Sequence, residues 1–273
     1  MKKKLLTGVM ATSLSVLSVT SLNGCSTTTN TAAIGSDRQQ LLLVSSEQVL
    51  QMSAQSYNKS IAEARAKGVL DTDPAKVARL KRIANRLIAQ VGTYRNDAAR
   101  WNWEVHTIRS NELNAFVMPG GKIMFYTGII DRLNLTDDEI AAIMGHEMAH
   151  ALREHTRERI SSEMATRAGI GIAASVFGLS QGQAQLAGIA GDLGISRPHS
   201  RTQEAEADKI GLVLAAKAGY NPRAAVSLWQ KMQRAASGEP PQFLSTHPSS
   251  SNRISNLQAL MPQVLPLYEQ ARH

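Results

Sequence analysis

The clearest helical pattern in the chain lies over residues 77–91, where apolar side chains recur every three or four positions. Asp73 and Pro74 stand just before it, a capping side chain followed by a proline suited to the first helical turn. Weaker helical patterns cover residues 41–67, 203–218, 221–237 and 251–260. The sequence therefore predicts a mostly helical protein whose best-marked helix turns one apolar stripe to the core.

Three short segments in the middle of the chain have the character of β-strands. They cover residues 103–108, 114–118 and 122–127. Pro119, Gly120 and Gly121 turn the chain between the second and the third. We expect a small sheet whose strands follow one another as a meander.

Thr136 is predicted to begin a long helix. Glu139 stands three residues after it, which is the spacing of a capping box, and the first turn is acidic, as the positive end of a helix dipole favours. The helix is expected to continue to about Met164.

The first 24 residues have the pattern of a secretory signal. Three lysines are followed by a short apolar run that is too short and too rich in Ser and Thr for a membrane span. The run ends in Leu22-Asn23-Gly24-Cys25, which resembles the lipobox of bacterial lipoproteins, where the cysteine becomes the first residue and carries acyl chains. The alternative is an ordinary free or buried cysteine.

This interpretation divides the chain into three regions. They are a lipoprotein signal peptide over 1–24, a lipidated flexible tether over 25–40 and a single domain over 41–273. Each buried acyl methylene contributes about 0.8 kcal/mol, so several chains would anchor the protein firmly. By resemblance to Gram-negative lipoproteins, Ser26 after Cys25 favours the outer membrane, with the domain facing the periplasm.

Composition narrows the functional classes. A single cysteine excludes an internal disulfide, a cysteine-built zinc site and an iron–sulfur cluster. Three of the net +8 charges belong to the N-terminal lysines, and no basic cluster is interleaved with aromatic residues, so nucleic acid is not an expected partner. The Gly/Ala-rich segment 165–196 is expected to form a loop with short helices that covers a site, touches lipid or fills the core.

The strongest chemical signal is His146-Glu147-Met148-Ala149-His150. Residues four apart share one face of a helix, so both histidines can bind the same zinc ion, and Glu147 can reach a water molecule on the open side of the metal. The alternative is a solvated helix that carries two histidines by chance. His155, five residues after His150, lies off the shared face and is expected at the surface.

A third ligand is expected from a later helix. A metzincin would have Gly and His where Arg153 and Thr156 stand, so that class is excluded. Glu204 and Asp208 are four apart and share a face, which predicts Glu204 as a ligand and Asp208 as an acceptor that orients a ligand histidine, while Glu206 turns aside. The alternative is an acidic, solvated helix start.

These motifs together resemble a known family. The His146 to His150 motif, with Arg201, Glu204, Ala207 and Asp208 in their spacing, is similar to the zinc metallopeptidases that include the CAAX prenyl protease, HtpX and the mitochondrial Oma proteases. The resemblance runs over about 77–260 and is strongest to the lipidated outer-membrane, LoiP-like subgroup.

The resemblance implies an α+β fold: a mostly helical, zincin-like metallopeptidase domain with a small mixed sheet and an HExxH active-site helix. It implies one Zn²⁺ per chain, held by His146, His150 and Glu204. Glu147 is implied to be the catalytic base, and Asp208 is implied to support a ligand without binding the metal itself.

The resemblance also extends to residues outside these two motifs. Asn114, Ala115 and Phe116 are implied to lie on or beside an edge strand that binds the substrate backbone. His247 is implied to face the developing oxyanion, and Arg253 either orients it or pairs with an acidic neighbour. Two roles stay open for His199: it is either an ordinary loop histidine or a metal ligand, inhibitory or alternative.

The expected function is that of a zinc-dependent endopeptidase, anchored by lipid to the outer membrane, that hydrolyses misfolded or damaged envelope proteins. The expected partners are unfolded proteins and the membrane, and the oligomeric state stays open. The alternative is a non-catalytic, lipid-anchored holdase or assembly factor with a structural zinc. A latent protease whose Gly/Ala-rich segment plugs the cleft lies between the two.

Overall fold

A computed structural model describes residues 25–30, 34–35, 37–176, 198–236, 241–248 and 252–272. The strands within these ranges are β1 Cys25–Ser26, β2 Gln40–Leu41, β3 Glu104–Ile108, β4 Ala115–Met118 and β5 Lys122–Tyr126. The helices are α1 Ser46–Ala66, α2 Pro74–Ile88, α3 Thr127–Arg132, α4 Asp137–Leu152, α5 His155–Val176, α6 Arg201–Lys217, α7 Ala224–Ala235, α8 Gln242–Thr246 and α9 Arg253–Ala271. Helices dominate, as the resemblance implies, and the fold class is confirmed.

The main sheet is mixed, and the predicted meander is wrong. β5 lies in the middle, antiparallel to β4 and parallel to β3. The turn at Gly120 and Gly121, both with positive φ, joins β4 and β5 as a hairpin. The chain from β3 crosses to the far side of β5 before β4 begins, so β4 is an outer strand of this sheet and packs beside α4.

Helix α4 begins as predicted and ends earlier than predicted. Thr136 and Glu139 form both hydrogen bonds of the capping box. The helix stops at Leu152, because Glu154 adopts a left-handed conformation with φ of 50°. Arg95 and Arg157 form ion pairs with the Glu154 carboxylate and hold this turn, after which α5 starts in a new direction.

The hydrophobic core surrounds α4. Ile140, Ile143, Met144 and Met148 of this helix are all inaccessible to solvent. The sheet contacts one side of α4, and α2, α6 and α7 contact the others. Because α4 is packed on all these sides, His146 and His150 do not lie on a solvated surface, and their ring nitrogens need polar partners inside the protein.

Two glycines let α4 and α6 cross at very short range. A Cβ atom on Gly145 would lie 2.8 Å from the Gly211 carbonyl oxygen, and one on Gly211 would lie 2.7 Å from the His146 backbone nitrogen. Any larger residue at either position would push the helices apart. The crossing therefore fixes α6 directly beside His146.

The N-terminal segment is attached to the domain. β1 pairs with β2, and Gln40 is almost fully buried, its amide donating to the Arg153 carbonyl at 2.7 Å. Arg153 is fully buried and donates to Thr29 and to the backbone of Arg38. The sequence predicts a flexible tether over 25–40, and in the described part of that segment Thr29, Arg38 and Gln40 share hydrogen bonds with the buried Arg153.

The remaining expectations about membranes and lids fall partly outside the described residues. The predicted signal peptide over 1–24 and residues 177–196 of the Gly/Ala-rich segment are not among them. In the described ranges, no helix combines the length and the apolarity that crossing a bilayer requires.

Candidate metal centre

His146 and His150 point their ring nitrogens at a common position, as the four-residue spacing predicts. Their Nε2 atoms are 3.1 Å apart, and both side chains are buried. α4 supplies both, and the capping box at its start fixes where that helix begins.

Glu204 reaches the same position from the start of α6. Its two carboxylate oxygens lie 3.5 Å from His146 Nε2 and 3.4 Å from His150 Nε2. Zinc bonds of 2.0–2.1 Å in a tetrahedron separate the ligand atoms by about 3.3 Å. The spacing of these three side chains therefore fits one zinc ion.

Asp208 lies behind His146, one helical turn after Glu204. Its Oδ1 atom is 3.1 Å from His146 Nδ1, the ring nitrogen that faces away from the ligand position. Arg253 donates to both carboxylates, at 2.5 Å to Glu204 and 2.6 Å to Asp208, and its guanidinium stacks 3.7 Å above the ring of Trp229. Of the two roles left open for Arg253, the structure shows pairing with acidic neighbours.

Glu147 lies beside the ligand position, on the side that faces β4. It is buried, its Oε1 atom lacks a hydrogen bond of good geometry, and the backbone N–H of Val117 donates to the carboxylate. Burial raises the pKa of Glu147, against the lowering effect of the nearby histidines. A buried carboxylate without a full set of partners is typical of a group that exchanges protons.

His247 follows α8 and enters the metal-ligating group itself. Its Nδ1 atom is 3.0 Å from a Glu204 oxygen and 3.3 Å from His146 Nε2, and its Nε2 atom is 3.1 Å from Glu147. Phe243 stacks on its ring with the centroids 4.5 Å apart. His247 can therefore reach either a substrate or a metal ion held by the other three residues.

The residues implied for substrate binding line the same cleft. Asn114, Ala115 and Phe116 border it together with Glu147 and His150, and the cleft also includes Met118, Pro119, Thr156, His199, Thr246 and His247. Asn114, Ala115 and Phe116 are all buried in this conformation. The outer strand and the ligand group thus belong to one cavity.

His155 was predicted at the surface, and this prediction is wrong. Its side chain is 0% exposed, and its Nδ1 atom is 2.8 Å from His150 Nδ1. The prediction failed because it extended one straight helix past Glu154, whereas the break at that residue turns His155 back toward the site.

Glu206 and His199 also lie closer to the centre than the sequence indicates. Glu206 turns aside from the position that Glu204 shares with the histidines, but it is buried and lies 3.0 Å from His155 Nε2. The His199 ring stacks on that of His150 with centroids 3.8 Å apart. His150, His155 and His199 form a second group whose ligand atoms lie within 4.8 Å of one another.

The protonation states of His150 and Glu204 suit a metal ion, whereas His146 carries a proton that zinc must displace. Burial lowers the pKa of His146, but its hydrogen bonds to Asp208 and Glu204 outweigh burial and raise that pKa to about 9. Burial and the neighbouring His199 hold the pKa of His150 well below its usual value, so this ring is neutral and keeps a lone pair. Burial opposes the ionisation of Glu204, but His247, His146 and His150 outweigh it and hold its pKa well below the usual carboxyl value. A neutral imidazole and a carboxylate are the protonation states that zinc binds.

Two buried histidines and a glutamate from two helices, with a further glutamate beside them, define the class of metallopeptidases built on an HExxH helix. Comparison with known sequences agrees: residues 74–261 match the family described as Peptidase family M48, and the chain belongs to this family. Peptidases of this family use zinc, and the buried histidine and glutamate group can hold one ion.

The similar proteins are proteases of eukaryotes and bacteria. The chain is 37% identical over 186 residues to the mitochondrial metalloendopeptidase OMA1 of Schizosaccharomyces pombe, covering 67% of this chain and 52% of that protein. It is 32% identical over 244 residues to human OMA1, covering 85% and 46%. It is 27% identical over 246 residues to the metalloprotease LoiP of Escherichia coli, covering 89% and 92%. The chain thus spans about half the length of the OMA1 proteins and most of LoiP.

Proposed function

We propose that this protein is a zinc-dependent endopeptidase whose zinc is held by His146, His150 and Glu204. The observation that carries the proposal is the spacing of their ligand atoms, 3.1 to 3.5 Å, beside a buried carboxylate that is not fully hydrogen-bonded. When bound, zinc supplies Lewis-acid chemistry: it polarises a scissile carbonyl and makes water more acidic. A purely structural site, closed by His247 as a fourth protein ligand, would not need the buried Glu147 carboxylate beside it.

Glu147 acts as the general base in this proposal. Its carboxylate takes a proton from the attacking water and passes it to the leaving amine, and burial raises its pKa, which favours accepting that proton. His247, with its Nε2 atom 3.1 Å from Glu147, is placed to donate a hydrogen bond to the oxyanion as it develops. Arg253 and Asp208 hold Glu204 and His146 in position.

The substrate binds as an extended chain along β4. This strand is an outer strand of its sheet and borders the cleft that holds Glu147. Pairing through backbone groups gives affinity with little sequence preference. Asn114, Ala115 and Phe116 would then contact a substrate that is unfolded, because a folded protein rarely offers an extended segment.

The proposed location is the periplasmic face of the outer membrane, and the proposed role is quality control of envelope proteins. Cys25 is exposed, and the lipobox-like residues precede it. A Cys25→Ser variant is expected to leave the membrane fraction. If it stays there in the same proportion as wild type, lipid attachment at Cys25 is not the anchor.

The activity is tested with Glu147→Gln. This variant should keep one zinc per chain and lose at least 100-fold of the rate at which the protein cleaves unfolded casein, since a positioned general base contributes about 10²–10⁴-fold. Glu63→Gln, on an exposed face of α1, is the matched control and should cleave as wild type does.

Two outcomes would contradict this assignment. Casein cleavage by Glu147→Gln at the wild-type rate would show that another residue is the base. Zinc-loaded wild type that binds unfolded casein without cleaving it, also after removal of residues 177–197, would favour the holdase alternative.

A further inference from the structure

The second metal-ligand histidine has its own hydrogen-bonded support, which the motif does not include. His150 Nε2 faces Glu204 and His146, so its other ring nitrogen, Nδ1, faces the opposite way. That nitrogen is 2.8 Å from Nδ1 of His155, which no solvent reaches. His155 in turn places Nε2 3.0 Å from a Glu206 oxygen.

The direction of these hydrogen bonds follows from the chemistry of the metal site. A nitrogen that binds zinc carries no proton, so His150 Nδ1 carries the ring hydrogen and donates it. His155 Nδ1 then accepts, and its own hydrogen is on Nε2, from which it donates to the Glu206 carboxylate. The three residues allow only this arrangement while His150 is a ligand.

We propose that His155 and Glu206 are positioning residues for zinc binding, which fix the ring orientation and the tautomer of His150. The inference rests on the proposed ligand role of His150. His146 has the equivalent support in one step, through Asp208, whereas His150 reaches its carboxylate through an intervening histidine. Partners of this kind typically contribute 10–100-fold to metal affinity.

The N-terminal segment holds the Glu206 carboxylate, which ends the chain of hydrogen bonds from His150 through His155. Arg38 donates to both oxygens of Glu206 at 2.9 Å, and Arg153 donates to one of them at 3.1 Å. Arg153 also donates to the Arg38 carbonyl, which joins the two arginines. Because Arg38 is 13 residues from Cys25, the segment that would carry the lipid also completes the support of a zinc ligand.

The test compares two substitutions at one position. His155→Phe keeps a planar ring but removes both nitrogens, whereas His155→Asn keeps an oxygen close to the place of Nδ1. His106→Phe is the matched control, because His106 also contacts a carboxylate, Asp71 at 2.5 Å, but is outside both metal-ligating groups. The measurements are zinc affinity by chelator competition, the visible spectrum of the Co²⁺-substituted protein, and thermal unfolding of the metal-free protein.

We expect His155→Phe to weaken zinc binding 10–100-fold and to shift the cobalt bands. His155→Asn should recover at least half of that loss on a logarithmic scale, and His106→Phe should stay within about twofold of wild type. Thermal unfolding of the metal-free variants shows whether a loss of affinity follows from loss of the fold. Arg38→Gln should weaken zinc binding by at least threefold, with Arg79→Gln, which removes a surface ion pair, as its control.

The results that overturn the inference differ from those that overturn the function. Unchanged zinc affinity and an unchanged cobalt spectrum in His155→Phe, or an equal loss in His155→Asn, would refute the positioning role. Unchanged affinity in Arg38→Gln would refute the part played by the N-terminal segment. Wild-type protein that binds no zinc through His150 would instead contradict the proposed function.

Discussion

The crossing of α4 and α6 allows a sharp test of how the site is built, through Gly211→Ala. The added Cβ would meet the His146 backbone nitrogen at 2.7 Å, which is 0.7 Å short of the distance at which ordinary contact begins. Its neighbours there are backbone atoms of Gly145 and His146 in the buried helix α4, so no flexible side chain can move aside. The helices must therefore separate, and Glu204 moves away from His146 with α6.

Gly211→Ala is expected to lower both the stability of the fold and the affinity for zinc. Overpacking of a well-packed interior destabilises by about 1–3 kcal/mol, which applies to the metal-free protein as well. A metal site tolerates displacements of only about 0.5 Å, so a separation near 0.7 Å should also weaken zinc binding by at least 10-fold.

Urea unfolding of the metal-free protein and zinc affinity by chelator competition measure these two losses separately. Gly92→Ala is the matched control, because a Cβ at Gly92 would have no atom within 4 Å and that residue does not need a positive φ. The reasoning is refuted if Gly211→Ala matches Gly92→Ala in both measurements, since the close crossing would then not determine the position of Glu204.

Two further predictions concern the packing around α4. Burial opposes ionisation of Glu139, but Lys231, the helix-cap backbone and Ser227 outweigh burial and lower its pKa. The ionised Glu139 therefore stabilises the fold above the ordinary carboxyl pKa of about 4.3, and this contribution is lost as the pH falls through the lowered pKa. Glu139→Gln should therefore be less stable than wild type in urea at pH 7, and the difference in free energy of unfolding should shrink below about pH 4. A difference that is as large at pH 3 as at pH 7 would contradict this. Tyr57→Phe removes a buried hydroxyl that donates to the Ile123 carbonyl at 2.8 Å, and should lower the free energy of unfolding by about 1–2 kcal/mol; no change would mean that water replaces it.

Local spacing was sufficient to predict the parts of the site that lie on one helix. His146 and His150 share a face because they are four residues apart, and the same rule placed Glu204 and Asp208 together on α6. The start of α4 was predictable because Thr136 supplies its own cap.

The parts that were missed depend on contacts between distant segments. The helix break at Glu154 is held by Arg95, nearly sixty residues earlier, so no local pattern announces it, and the position of His155 depends on that break. The support of Glu206 by Arg38 joins residues 168 positions apart. The parallel pairing of β3 with β5 is likewise a choice among sheet topologies that strand patterns alone do not distinguish.

The central claim is that His146, His150 and Glu204 hold one zinc ion, and anomalous diffraction at the zinc edge from crystals of the zinc-loaded protein tests it most directly. The account predicts one strong peak per chain, about 2.0–2.2 Å from both Nε2 atoms and from a Glu204 oxygen. A peak held instead by His150, His155 and His199, or one with the Glu204 carboxylate out of reach, would contradict it.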